Sequence, residues 1–237
     1  MDFALKGHFR KFAIAHIELS HLFTIFTFAV VNLAVLSLSR LLLSTWQAEH
    51  FAASGDLSQV LLGGLRIDIS TICYAMFPAL ALQFVYAIKP SHLNIKIVSK
   101  YYLLAISLLV TLLELITPLF FDYHAIRPSF ATNTGRALFS SLLQGHVLEL
   151  VVDVVTLFLL ARVLSSLFDF TWQLKFEGSN HSHFGFALFL LALAVLGARG
   201  SLVHEPIDPS SVAFSSDPML NQLSLNSAYS LGEPWFH

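Results

Sequence analysis

The sequence predicts an all-α integral membrane protein: a bundle of five transmembrane helices with an extended external C-terminal tail. Three observations carry this. Hydrophobic residues make up 56% of the 237 positions and charged residues only 12%, against about 25% charged in soluble domains. The mean hydropathy is +0.71. Apolar runs recur at residues 22–43, 67–88, 101–121, 147–168 and 184–198. Four of them are long enough to span a core of about 30 Å at about 1.5 Å per residue. The fifth is short, and His181-Ser182-His183 can extend it, or the membrane can be thin there.

Taken in order, residues 1–21 place Lys6, Arg10 and Lys11 among Phe3, Phe9, Phe12 and Ile17. This suits a cytoplasmic interfacial helix or a plain basic leader. No small-x-small cleavage site follows the first run, so it is expected to stay as a signal anchor. Pro78 and Pro118 lie inside the second and third runs, where a kink frees backbone groups. Pro206, Pro209 and Pro218 punctuate the tail. The expected divisions are therefore the interfacial segment 1–21, the bundle 22–198 and an extracytoplasmic linker 199–237.

Five spans put the termini on opposite sides. Lys6, Arg10, Lys11, Lys89, Lys96, Lys100 and Lys175 fall on the N-terminal side, against Arg66, Arg127, Arg136 and Arg199 on the other. Basic residues favour the cytoplasmic face, so the N-terminus is expected inside and the tail outside. Arg40 and Arg162 lie within runs near an end, where their side chains can snorkel to the interface.

Composition excludes several classes of function. A net charge of −2 argues against nucleic acid. The single cysteine, Cys73, sits in an apolar run and supplies no disulfide framework. No Gly-rich phosphate loop, HExxH, paired-cysteine zinc pattern or G-x-S-x-G is present. His181 and His183 alone are a poor metal set, and no metal site is expected in this chain.

The ionisable residues inside the runs gather at one depth. A central charge left unpaired costs about 2.5–3.5 kcal/mol, so their placement is informative. Gly63-Gly64-Leu65-Arg66-Ile67-Asp68 puts Arg66 and Asp68 at the outer mouth of the second run, with glycines that would let a loop approach a headgroup closely. Glu114 lies about 10 Å below the outer end of the third. Glu149 and Asp153 are four apart on one face of the fourth, which Thr156 extends. Arg199 ends the fifth. Only Arg162 belongs to the inner half. A transporter or channel needs polar groups through the whole thickness, whereas this set opens outward. Arg66, Asp68, Glu114, Asp122, Arg127 and Arg136 are the candidate contacts for a lipid headgroup, arginine clamping phosphate and carboxylates binding hydroxyls. Glu149, Asp153 and Arg199 are further candidates or structural ion pairs. Asn32 is expected to hydrogen-bond between helices.

The tail contains Ala198-Arg199-Gly200-Ser201, His204-Glu205-Pro206, Ile207-Asp208-Pro209 and Leu220-Asn221-Gln222-Leu223-Ser224-Leu225-Asn226-Ser227. With the Gly64-Leu65-Arg66-Ile67-Asp68 entry and Asp122-Tyr123, this resembles the membrane part of the lipoteichoic acid synthase family. These are phosphoglycerol transferases of the alkaline phosphatase/sulfatase superfamily. The resemblance implies a bacterial cytoplasmic membrane, five helices, a linker and an extracytoplasmic sulfatase-like domain. That domain would use a threonine nucleophile and a divalent metal, manganese or magnesium. The sequence stops at His237, where the linker would lead into it, so no catalytic residue is assigned here. The expected partner is a membrane lipid, an anionic phospholipid, and the expected role is to anchor the enzyme and present that donor. A stand-alone multi-pass protein, either a transporter or a purely structural anchor, is the alternative.

Overall fold

The computed structural model describes residues 17–18, 20–48, 57–88, 93–129, 147–173, 177–178, 180–200 and 207–232. Five long helices dominate: α1 (Ser20–Trp46), α2 (Leu57–Ile88), α3 (Leu93–His124), α4 (Val147–Gln173) and α5 (Asn180–Arg199). Most of the segment 1–21, where an interfacial helix was expected, lies outside the described residues. Its end forms β1 (Ile17–Glu18), paired antiparallel with β2 (Glu177–Gly178). That pairing puts the start of α1 and the α4–α5 connection at one end of the bundle.

Burial and exposure alternate along α1 with helical spacing. Leu22, Ile25, Phe28, Asn32, Leu36, Arg40 and Leu43 are buried, while Phe26, Val30, Leu38 and Leu42 are exposed. A helix that is apolar on both faces suits a bundle surrounded by lipid. The core joins α1 to α2, α3, α4 and α5 through residues such as Leu22, Leu36, Leu80, Leu103, Phe168 and Leu190. Polar side chains bridge the helices. Asn32 donates to Ser107 Oγ at 2.9 Å as expected, Ser70 donates to the Ala198 carbonyl at 2.6 Å, and Thr24 meets Thr171 at 3.0 Å. Small residues let α2 and α5 approach closely: a Cβ on Gly197 would lie 2.4 Å from Cys73 Sγ.

Three helical stretches, His21–Trp46, Leu57–Tyr86 and Ile97–Asp122, are long and apolar enough to cross a membrane. This is fewer than the five spans expected. The apolar part of α5, Phe184–Arg199, is shorter. α4 carries Glu149, Asp153, Arg162 and Asp169 along its length. Its surface is nonetheless strongly apolar, with Leu148, Val152, Val155, Phe158, Leu159 and Val163 exposed.

Two boundaries differ from expectation in ways that matter for the site. α2 begins at Leu57, so Gly63, Gly64 and Arg66 belong to a helix and not to a loop at its mouth. The tail is not extended over residues 207–232. It folds into a 3-10 helix (Pro209–Val212) and two short helices, α6 (Pro218–Leu223) and α7 (Ser227–Gly232). The reason is local: each of the first two elements starts with an Asp-Pro step. Asp208 accepts from Ser211 N at 2.7 Å and Asp217 from Met219 N at 2.9 Å, with proline at the first helical position. Val212, Leu220, Leu223, Leu225 and Tyr229 are then buried against the bundle. Leu220 and Leu223 pack with Leu43, Val60 and Phe121 at the ends of α1, α2 and α3.

Candidate functional site

The docked tail closes over two ion pairs that each join two parts of the bundle. Arg40 of α1 meets Asp68 of α2 in a two-point contact, Nη1 to Oδ2 at 2.5 Å and Nη2 to Oδ1 at 2.7 Å. Arg127, just beyond α3, donates from Nη1 to both carboxylate oxygens of Glu114 at 3.1 Å. Arg40, Asp68, Glu114 and Arg127 are all at most 4% exposed. A charge so placed is tolerable only if it is paired and its remaining donors and acceptors are satisfied.

The tail supplies most of that satisfaction, and it does so from one short stretch. The Leu223 carbonyl accepts from Arg40 Nε at 3.3 Å. Asn226 donates from Nδ2 to Asp68 Oδ1 at 2.9 Å, while its Oδ1 accepts from Tyr229 N at 2.7 Å. Ser227 donates its backbone N–H to Glu114 Oε1 at 2.8 Å, and its hydroxyl accepts from Arg127 Nη1 at 3.0 Å. The Gln222 carbonyl accepts from Arg127 Nε at 3.0 Å. Tyr229 donates its hydroxyl to the Ile207 carbonyl at 2.8 Å, closing the tail on itself. Residues 222–229 therefore act as one clamp across both pairs.

Glycine 64 makes room for this arrangement. A Cβ there would lie 2.1 Å from Arg40 Cζ and Nε. Gly63 faces Val212 of the tail at 3.4 Å. The glycines thus admit a guanidinium and the tail, in place of the headgroup anticipated. Gly64→Ala is expected to push Arg40 off Asp68 and lower stability by at least ~1–3 kcal/mol, the usual range for overpacking. Thermal unfolding in detergent, with Gly63→Ala as the milder comparison, reads this directly.

Arg66 and Asp68, placed together at the mouth of the second run, face different ways. Residues two apart on a helix point to different faces. Asp68 turns inward to Arg40, and the exposed Arg66 reaches the Gly200 carbonyl at 3.4 Å. Gly200 has φ +63, the left-handed region that glycine adopts at a helix end. Arg40, placed near enough to a helix end to snorkel, is instead buried. Asp122 accepts from Trp46 Nε1 at 3.0 Å and from Gln47 Nε2 at 3.0 Å, tying the end of α1 to the end of α3. Arg199 occupies the last turn of α5, and its carbonyl accepts from Ile207 N at 3.1 Å. Arg136 lies outside the described residues. Among the described residues, no group of three or more His, Cys, Asp or Glu is gathered as a metal set.

Beside the sealed layer runs an open groove of about 540 Å³ between α1, α3 and α4. Its walls are apolar, with Leu38, Leu42 and Trp46 on one side and Leu115, Pro118 and Val152 on others. Glu149, Asp153 and Thr156 line it together, as their shared helix face predicts. Ser39 and Glu114 line it too, and Ser39 donates to Glu114 Oε2 at 2.6 Å. Glu114 therefore belongs both to the groove and to the clamp. Arg40, Gln222, Asn226 and Ser227 were not singled out from the sequence as site residues.

Fold and site define a helical membrane protein whose tail seals a layer of buried ion pairs beside an open apolar groove. No protein-family model matches the chain, and no solved structure matches it.

Proposed function

We propose that the chain is the membrane module of a lipid headgroup transferase, of the phosphoglycerol or phosphoethanolamine transferring kind that its sequence resembles. In this reading the groove between α1, α3 and α4 holds the acyl part of the donor lipid. The headgroup lies at the tail-bearing end, taken as the extracytoplasmic face of a bacterial cytoplasmic membrane with the N-terminus inside. A sulfatase-like domain with its own divalent metal carries out the transfer there, because phosphoryl transfer needs a positioned nucleophile and charge neutralisation.

The observation that carries the proposal is the double membership of Glu114. The carboxylate lines the groove and accepts from the tail at Ser227. A lipid in the groove thus sits against the same side chain that fixes the tail, so lipid and tail are held in register. Asp68 and Arg127 serve this fixing role within the protein. Direct headgroup contact falls to Glu149 and Asp153 in the groove, carboxylates that accept from headgroup hydroxyls.

Filling the groove tests the proposal. The purified chain in mild detergent is expected to retain phospholipid detectable by native mass spectrometry. Val152→Trp is expected to lower that retention several-fold while leaving the unfolding temperature within a few degrees, since Val152 is exposed. Equal retention by the parent and Val152→Trp proteins would remove the groove from the account and favour a purely structural anchor.

A further inference from the structure

We propose a second lipid site at the opposite end of the bundle, where Arg162 binds the phosphodiester of an anionic phospholipid. It is separate from the groove assigned to the donor. Arg162, Ser165, Ser166, Asp169, Phe170 and Gln173 line a second cavity of about 540 Å³ on α4. Their spacing of three and four residues makes one continuous stripe.

The stripe has the marks of a membrane interface. Lys100 stands over the Trp172 ring at 5.6 Å and the Tyr101 ring at 5.7 Å from their centroids, and tryptophan and tyrosine concentrate at headgroup level. Arg162 lies eleven residues before Gln173, about 16 Å along the helix. The cavity that Arg162 lines extends along the stripe to Gln173, so it connects the arginine to that interface.

Charge decides what the stripe accepts. Asp169, the one acid in it, is ion-paired with Lys100 of α3. Arg162 is exposed, and the contact found for it among the described residues is the Phe158 ring, 6.0 Å from its centroid. Phe158, Leu159 and Val163 around it are exposed and apolar, so the neighbourhood is lipid. An arginine facing lipid without a carboxylate is costly. A phosphate drawn into the cavity neutralises it, with the Ser165 and Ser166 hydroxyls as further donors. With Asp169 balanced by Lys100, Arg162 contributes one net positive charge, which an anionic phospholipid neutralises and a zwitterionic one, bringing its own cation, does not.

The test uses the full chain carrying Val152→Trp, so that the donor groove does not contribute. It is placed in nanodiscs of equal dioleoyl phosphatidylglycerol and dioleoyl phosphatidylcholine, and bound lipid is read by native mass spectrometry. Phosphatidylglycerol is expected to be enriched about fivefold, the worth of one basic residue near an anionic surface. Arg162→Gln should abolish that preference and Arg162→Lys should keep part of it. Ser165→Ala combined with Ser166→Ala, a change on an exposed stripe, should weaken it even if Arg162→Gln does not fold. Absence of a headgroup preference in the parent, or its persistence in Arg162→Gln, overturns the proposal. So does loss of a dimer in Arg162→Gln with lipid retention unchanged, which would assign the arginine to a second copy of the chain.

Discussion

Arg40→Ala is expected to destabilise the folded chain by about 3–5 kcal/mol, the range for removing one partner of a buried ion pair. Asp68 would be left fully buried with a charge and, among the described residues, Asn226 alone to answer it. The same substitution removes a donor to the Leu223 carbonyl, so the tail loses a contact along with the bundle. Two readouts should move together: the unfolding temperature should fall, and protease should cut the chain faster between residues 201 and 232. Asp68→Asn should do the same less severely, because the amide keeps one oxygen as an acceptor. Unchanged stability in both variants would mean that the pair is not formed in the membrane.

The Glu114–Arg127 pair offers the second large effect. Glu114→Ala leaves Arg127 buried, and Arg127→Met leaves Glu114 buried, so each alone is expected to lose several kcal/mol. The double substitution leaves no charge behind and is expected to regain much of the loss. Their coupling should reach the upper part of the ~0.5–3 kcal/mol range of contacting residues. The two single variants should differ in a second property. Glu114 lines the groove, so Glu114→Ala should change lipid retention as well as stability. Arg127→Met should change retention only as far as it loosens the tail. Additive losses in the cycle would show that the two side chains act independently.

Much of the bundle was legible from the sequence because its helices follow from apolar runs and helical spacing. The shared face of Glu149, Asp153 and Thr156 is an instance, and in the structure that face lines the groove. Asn32 is another, bonded across to α3. What was not legible has physical reasons. Arg40 sits near the end of an apolar run, where snorkelling is the ordinary outcome. Yet its spacing from Asn32 and Leu36 puts it on their buried face, and this periodicity was the available signal. Arg66 and Asp68 are close in sequence and were placed at one mouth of the second run. Once α2 begins at Leu57, helical geometry turns them to different faces. The tail's three prolines suggest breaks and an extended chain. Asp208-Pro209 and Asp217-Pro218 are helix starts, a cap followed by proline at the first helical position. The roles of Gln222, Asn226 and Ser227 had no local signal. They depend on contacts with residues about a hundred or more positions away, such as Glu114 and Asp68.

Hydrogen exchange along residues 222–230, with the chain in lipid nanodiscs, tests the clamp most directly. The Ser227 N–H is bonded to Glu114, the Tyr229 N–H to Asn226 Oδ1 and the Ser230 N–H to the Asn226 carbonyl. A docked tail predicts protection of these amides comparable to the core of α2, and its loss in Arg40→Ala and Glu114→Ala. Exchange at the rate of an unstructured peptide in the parent chain would contradict the clamp, and with it the coupling of tail to groove.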